Sequence, residues 1–119
     1  MVKSEFSDGV IICSFDQPGK LNAINSEEAK SEIGRHFDDP GARLILDLKN
    51  INFIDSSGFG ALLSIMKRAR NNNGTLFICN IKPDVMVLFK LLQLHQVFNL
   101  GESVEECKKK IEQTSTPGL

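Results

Sequence analysis

The hydrophobic and polar positions of this chain fall into two alternating patterns. Short apolar runs rich in β-branched residues predict strands, and apolar residues spaced three and four apart predict amphipathic helices. The predicted order along the chain is strand, strand, helix, strand, helix, strand, helix, strand, helix. Because strands and helices alternate after the first two strands, we expect parallel strands connected by crossover helices.

The first two strands, residues 1–6 and 10–15, are predicted to form an antiparallel hairpin. Asp8 and Gly9 lie between them, and an Asp-Gly pair is favoured in two-residue hairpin turns. A short apolar-centred link, residues 20–24, then leads towards the first helix.

The first helix is predicted to begin with a capping box, because Glu28 follows Asn25 at the required spacing. The helix ends before Pro40, which disfavours helical backbone in the residue that precedes it. Its apolar stripe is thin and consists of Ala29, Ile33 and Phe37.

The central strand of the sheet is predicted at residues 42–48, where the apolar run is nearly continuous. Residues 50–54 are interpreted as continuing this strand towards Asp55-Ser56-Ser57-Gly58. A second helix follows and is predicted to end at residues 71–74, where Asn and Gly tolerate a left-handed exit. Its apolar positions are Phe59, Leu62, Leu63, Met66 and Ala69.

The third helix, about residues 85–94 with Pro83 in its first turn, has hardly any polar face. Such a helix is either deeply buried or offers surface to a partner, and a chain of this size has little room for the first. The remaining predicted elements are a strand at residues 75–80, a strand at residues 97–100, a last helix capped by Ser103 and Glu106, and a frayed tail at residues 114–119.

Together these elements predict an α/β fold in which an N-terminal hairpin leads into a mostly parallel mixed sheet. We expect about five strands and about four helices in a single domain over residues 1–119. Hydrophobic residues make up 41% of the chain and charged residues 24%, which is ordinary for a soluble globular protein.

Charge and cysteine content narrow the class of protein further. The net charge of −1 gives no indication of a nucleic acid or an anionic membrane surface as the main partner. Cys13, Cys79 and Cys107 are odd in number and fit no metal-binding spacing, so we expect reduced, buried thiols and no metal site. No signal-peptide pattern or membrane-length apolar run occurs, and we therefore expect a cytoplasmic protein.

Candidate chemistry is concentrated where a strand passes into the second helix, at Ser56 and Ser57. The first turn of a helix has N–H groups without internal partners, and a hydroxyl there can accept one of them as an N-cap. The same donors and the positive end of the macrodipole would stabilise a phosphate. Gly58 and Gly60 leave the backbone open to close approach.

The residues give little support for an enzyme. The Gly-x-Ser-x-Gly, P-loop and dinucleotide-binding motifs are absent, and only His36 and His95 could act as imidazole bases. The alternative is that Ser56 is a substrate. A phosphate on it would add about −1.5 to −2 charges and block a docking partner while leaving the fold intact.

The motif Asp55-Ser56-Ser57-Gly58, with the apolar strand before it and the later Pro83, Val85, Leu88 and Phe89 pattern, resembles the STAS domain. The specific resemblance is to bacterial anti-sigma factor antagonists, and it extends over nearly the whole chain. It implies a STAS-like fold and a protein that binds an anti-sigma factor, itself a serine kinase, and so frees a sigma factor.

By this resemblance, Ser56 is the residue that the kinase phosphorylates, and the phosphorylated form dissociates. Asn22, Asp55, Ser57, Gly58 and Phe59 are implied to shape the partner-binding site. A PP2C-type phosphatase restores the unphosphorylated form. ATP and magnesium belong to the kinase, so the chain itself needs no cofactor.

Two positions depart from the family pattern. The family carries Asp where this chain has Asn22, and Asn retains hydrogen bonding but loses the charge, which bears on recognition by the kinase and on the efficiency of phosphorylation. The family also ends its third helix with Ser-Gly or Thr-Gly, where this chain has Leu92-Gln93.

Two other hypotheses stay open from the sequence. In one, the chain is a STAS scaffold or transport-accessory module in which Ser56 only caps the helix and the third helix supplies the interface. In the other, Ser56 or Ser57 is the nucleophile of a small enzyme.

Overall fold

The structure is a computed structural model that describes residues 1–114, with side chains as far as Gln113. The strands are β1 (Val2–Ser7), β2 (Val10–Phe15), β3 (Gly19–Leu21), β4 (Arg43–Asp47), β5 (Ile51–Ile54), β6 (Thr75–Cys79) and β7 (Asn99–Leu100). The helices are α1 (Ser26–Gly34), α2 (Ser56–Asn71), α3 (Pro83–Leu91) and α4 (Val104–Thr114). Short 3-10 turns follow α1 at Arg35–Asp38 and α3 at Leu94–Gln96.

The main sheet has five strands in the order β1-β2-β4-β6-β7. Strand β1 is antiparallel to β2, and every other neighbouring pair is parallel. The α/β class, the mixed sheet and the central place of the 42–48 run are therefore confirmed. Within residues 1–114 the four helices also agree with the prediction.

The N-terminal hairpin is confirmed in its register and in its turn. Ser7 lies opposite Val10, which leaves Asp8 and Gly9 as a two-residue loop. Both have positive φ, 55° and 76°, as a type I′ turn requires.

Residues 50–54 do not continue the central strand, and that prediction is wrong. Residues 51–54 form β5, which pairs in parallel with β3 in a separate two-stranded sheet. The segment predicted as a link at residues 20–24 also contains the end of strand β3, since Leu21 pairs with Ile54. Only Ile51 and Ile54 of β5 are buried, so the strand before the serines is half-buried rather than fully buried.

The core lies on both faces of the main sheet. One face packs against α1, α2 and α3 through residues such as Ile33, Leu62 and Phe89, all fully buried. The other face carries a smaller cluster in which α4 places Cys107 and Ile111 on β4 and β6. Side chains of β4 point alternately to the two faces of the sheet, so Leu44 and Leu46 pack in the first cluster and Ile45 packs in the second.

Two helix ends, the start of α1 and the end of α3, differ from the prediction. Asn25 precedes α1 but its side chain does not cap it, because it accepts a hydrogen bond from the Asn22 N–H and donates to the Lys20 carbonyl. Helix α3 ends at Leu91 rather than about residue 94. Gln93 then takes the left-handed conformation (φ 57°) that glycine commonly provides after a helix.

The last helix is capped by Ser103, whose hydroxyl accepts a hydrogen bond from the Glu106 N–H. In a capping box the Glu106 carboxylate would accept a hydrogen bond from the Ser103 N–H, but here it accepts one from the Glu102 N–H. Thr114, predicted as the start of the tail, is the final residue of α4. The rest of the predicted tail, residues 115–119, lies outside the described residues.

The three cysteines are free and buried, as expected for structural thiols. Burial raises the pKa of Cys13, while contact with Cys107 and burial together raise the pKa of Cys79. Among residues 1–114, no helix is both long and apolar enough to span a membrane.

Candidate functional site

The paired strands β3 and β5 bring the two halves of the site together. Leu21 and Ile54 are partners at the carboxyl ends of these parallel strands, and the Asp55 N–H donates to the Leu21 carbonyl at 3.2 Å. Asn22 directly follows β3, and Asp55 directly follows β5. Residues separated by about thirty positions in the chain therefore start two neighbouring turns at one edge of the fold.

Asp55 is the N-cap of α2. It has extended backbone angles, and its Oδ1 accepts a hydrogen bond from the Gly58 N–H at 2.9 Å. The sequence indicated that a serine hydroxyl could occupy the cap, and the structure gives that place to Asp55 instead. The capping geometry leaves both serine side chains out of the helix's internal hydrogen bonding.

Ser56 and Ser57 are exposed on the first turn of α2. Within residues 1–114 neither hydroxyl has a hydrogen-bond partner, and the backbone N–H groups of both residues are also without an acceptor. Two unpartnered N–H groups at the positive end of a helix favour an anionic group beside them. The accessible hydroxyl of Ser56 is thus placed where added negative charge does not require the helix to unfold.

Gly58 allows β3 to approach the helix closely. A Cβ at this position would overlap the Leu21 carbonyl oxygen and lie 2.7 Å from Ile54 Cγ2. Gly60, on the same turn of α2, has no atom within 4 Å of the equivalent point. Only the first of the two glycines is required by packing.

Phe59 supports the site from inside the fold. Its side chain is buried and meets Phe89 of α3 edge to face, with 5.1 Å between ring centroids. The sequence placed Phe59 among the partner-binding residues. The structure puts its ring in the core, where it fixes α2 against α3 rather than forming part of the exposed surface.

Asn22 organises the turn between β3 and α1. Its Oδ1 accepts from the Ile24 N–H at 3.0 Å, and its backbone carbonyl accepts from the Ser26 N–H at 2.8 Å. An aspartate could accept the same side-chain bond, so this hydrogen bond does not distinguish Asn22 from an aspartate at this position.

Two exposed apolar side chains border the site, and sequence reasoning missed both. Ile24 is 92% exposed in the turn that Asn22 starts, and Phe53 is 43% exposed two residues before Asp55. The signal for Ile24 was an aliphatic residue between Asn22 and Asn25, in the link before the first helix. Phe53 was obscured because residues 50–54 were interpreted as a buried strand.

A shallow groove of about 400 Å³ runs beside the serines, between α1 and α2. Small and polar residues line it, including Ala23, Ser57, Gly60 and Ser64, with the Glu27–Lys30 ion pair at its side. The exposed serines, the groove and the apolar borders come from residues 23–30 and 53–64 and together offer a surface suited to a protein partner.

Neither His36 nor His95 is hydrogen-bonded to Ser56 or Ser57. His36 Nε2 lies 3.2 Å from the hydroxyl of Ser4 on β1, and burial lowers the pKa of His36. His95 belongs to the turn after α3. In the part of the chain that the structure describes, no cluster of His, Cys, Asp and Glu could hold a metal ion.

Replacing Asp55 with alanine removes the acceptor for the Gly58 N–H, so we expect the free energy of unfolding to fall by about 0.5–2 kcal/mol. Asp55→Asn keeps a capping oxygen and is the matched control, with a smaller loss. Urea unfolding followed by circular dichroism measures both. Equal stability of Asp55→Ala and the wild type would contradict the capping role.

The chain belongs to the STAS domain family, whose family model matches residues 1–107. The family predicted from the sequence is therefore confirmed. The match extends from the N-terminal hairpin into α4.

Two relatives of this chain are described as anti-sigma factor antagonists. The chain is 30% identical over 98 residues to BtrV of Bordetella bronchiseptica, a protein provisionally described as an anti-sigma factor antagonist, with 82% of this chain and 83% of the relative covered. It is 28% identical over 101 residues to the anti-sigma F factor antagonist of Paenibacillus polymyxa, covering 79% of this chain and 85% of the relative.

The fold is also that of a solved antagonist. SpoIIAA in its unphosphorylated form superposes with a TM-score of 0.68 and 18% identity, covering 98% of this chain and 99% of that one. At this identity the likeness concerns the fold alone.

Proposed function

We propose that this protein is an anti-sigma factor antagonist controlled by phosphorylation of Ser56. In its unphosphorylated form it binds an anti-sigma factor that is also a serine kinase, and a sigma factor is released. Phosphorylation of Ser56 ends the complex, and a PP2C-type phosphatase reverses it. The chain acts in the cytoplasm as a binding protein, with no catalysis and no cofactor of its own.

The observation that carries this proposal is that Asp55, and not Ser56, caps α2. Asp55 caps α2, so the exposed Ser56 hydroxyl has no structural task among residues 1–114. A serine that only capped the helix would be tied to the backbone and shielded from a kinase. Ser56 is instead exposed on the first turn of α2, next to the groove residue Ser57.

Phosphorylation at this position would change the surface and preserve the fold. The free N–H groups of Ser56 and Ser57 favour the phosphate, whereas the carboxylate of Asp55 stands beside it. The net result is a cluster of negative charge beside Ile24 and Phe53, at the place where a partner would dock. Burying that charge without a partner cation is costly, which gives the dissociation a physical cause.

A second candidate is a STAS scaffold whose main interface is α3. Val87, Leu91 and Leu92 are 54%, 73% and 55% exposed, so this helix presents apolar surface as the sequence suggested. In that case Leu91→Ser would abolish complex formation and Ser56→Ala would have no regulatory effect. The Ser56 proposal gives the opposite pair of results.

Release of sigma factor tests the function directly. A candidate serine kinase of the anti-sigma class is loaded with its sigma factor, the unphosphorylated chain is added, and free sigma factor is measured by size-exclusion chromatography. We expect release by the wild type and by Ser56→Ala, and none by protein phosphorylated beforehand. Release by the phosphorylated protein at the same concentration would refute the switch.

Asn22→Asp introduces the charge that the family has beside the acceptor serine. Because the new carboxylate can accept the same Ile24 N–H bond, we expect the turn and the melting temperature to be preserved. A carboxylate also offers the kinase's cationic side chains a partner, so the initial rate of phosphate incorporation should rise. A rate equal to or below that of the wild type would show that the charge is not part of recognition here.

A further inference from the structure

The outer edge of β1 is open. β1 is the first strand of the main sheet, and its central residues 3–6 are all exposed. Phe6 is 78% exposed, an unusual place for a phenylalanine on a short strand. Open edges with unpaired backbone groups are templates for pairing with another strand.

The backbone groups that point outwards are those of Val2, Ser4 and Phe6. In an antiparallel ladder, alternate residues bond to the neighbouring strand. The Asp16 N–H donates to the Met1 carbonyl at 3.0 Å, so Met1 and every second residue after it face β2. Within residues 1–114, the backbone groups of the intervening residues have no hydrogen-bond partner.

Three antiparallel registers oppose at least two outward-facing residues of this edge to those of the same edge in a second copy. In these registers the two-fold axis passes through Lys3, Ser4 or Glu5. An axis at Lys3 places two lysines opposite each other, and an axis at Glu5 places two glutamates opposite each other. An axis at Ser4 places each Lys3 opposite a Glu5, which are opposite charges on one face of the sheet.

The Ser4 register also matches the apolar residues of the strand. It sets each exposed Phe6 opposite a Val2 of the second copy, on the face opposite to the charged pairs. Charged residues on an edge strand ordinarily discourage pairing. Here the spacing of Lys3 and Glu5 makes self-pairing attractive in one register and repulsive in the other two.

We propose that this edge is a self-association surface and that two copies of the chain pair antiparallel through β1, with the two-fold axis at Ser4. The two five-stranded sheets then form one continuous sheet. The occupant is a second copy because the charge pattern of the edge is self-complementary. This inference concerns β1 alone and does not depend on the function proposed for Ser56.

Charge reversal tests the register. Lys3→Glu and Glu5→Lys each place like charges opposite one another twice in a homodimer, so we expect the association constant of each to fall by about tenfold or more. The double variant exchanges the charges and should recover wild-type association. An equal mixture of the two single variants should form a heterodimer, because one strand then carries two acids and the other two lysines.

Sedimentation equilibrium on the full chain, with any affinity tag removed or placed at the C-terminus, measures the association constants, and native mass spectrometry identifies the heterodimer. A wild type that stays monomeric throughout the concentration range would overturn the proposal. So would a dimer that both single variants preserve, which would place the interface elsewhere.

A backbone variant provides a second test. Ser4→Pro removes an outward N–H that the β1–β2 hairpin does not use, so we expect a monomer with a nearly unchanged fold. Ser4→Val loses the same side-chain bonds to Cys13 and His36 but keeps the N–H, and it should remain dimeric. A dimer of Ser4→Pro as stable as that of Ser4→Val would rule out pairing through this edge.

Discussion

Ser56→Asp is expected to weaken binding to the anti-sigma factor by about 10- to 100-fold. The substitution puts a permanent charge on the exposed first turn of α2, next to the Asp55 carboxylate. Inside an interface this charge loses water and gains no partner. One carboxylate carries less charge than a phosphate, so phosphorylated wild type should bind more weakly still.

The matched control for this experiment is Asn71→Asp. It also introduces one carboxylate on an exposed position of α2, but at the other end of the helix, roughly 22 Å away at 1.5 Å per residue. Isothermal titration calorimetry with the anti-sigma factor should give wild-type affinity for this variant. Unchanged affinity of Ser56→Asp, or an equal loss in both variants, would contradict the electrostatic part of the switch.

Gly58→Ala is expected to lower the free energy of unfolding by about 1–3 kcal/mol and to disturb the site. The new Cβ would overlap the Leu21 carbonyl oxygen and crowd Ile54. Both are in the strand pair that carries Asn22 and Asp55, so α2 must move away from β3 to make room. The two turns of the partner surface would then separate.

Gly60→Ala is the control on the same helical turn. It meets no atom within 4 Å, and alanine favours helix over glycine by about 1 kcal/mol, so we expect equal or greater stability. Urea unfolding should therefore separate the two variants. If Gly58→Ala is as stable as Gly60→Ala, the close contact between β3 and α2 does not maintain the site.

The elements of the main sheet could be predicted because their signals are local. The Asp8-Gly9 pair specifies its turn through two positive φ angles, and the near-continuous apolar run of β4 indicates burial on both faces. Helix α2 is predicted by apolar residues that recur on one face. In each case the information lies within one turn or one strand.

The second sheet could not be predicted because it depends on pairing between distant segments. β3 has three residues and no periodicity of its own, and only its hydrogen bonding to β5 defines it as a strand. Residues 50–54 follow the apolar run of β4 closely enough to look like its continuation. The turn at Leu48–Asn50 that separates them leaves little trace in the pattern.

The sequence indicated the turn before α2 as the place of candidate chemistry, but it did not show which residue caps the helix. Any of Asp55, Ser56 and Ser57 can cap a helix, and the sequence alone does not rank them. The choice follows from where α2 begins, which is fixed by the Asp55 N–H bond to β3. Asn25 was misassigned for a related reason, since the Asn22 turn uses its side chain.

The central claim is that Ser56 is the phosphorylated residue, and intact mass spectrometry tests it most directly. Wild type, Ser56→Ala and Ser57→Ala are each incubated with the candidate anti-sigma kinase and Mg-ATP. We expect one added phosphate on the wild type and on Ser57→Ala, and none on Ser56→Ala. Stoichiometric phosphorylation of Ser56→Ala, or none on a wild type that still binds the kinase, would contradict the claim.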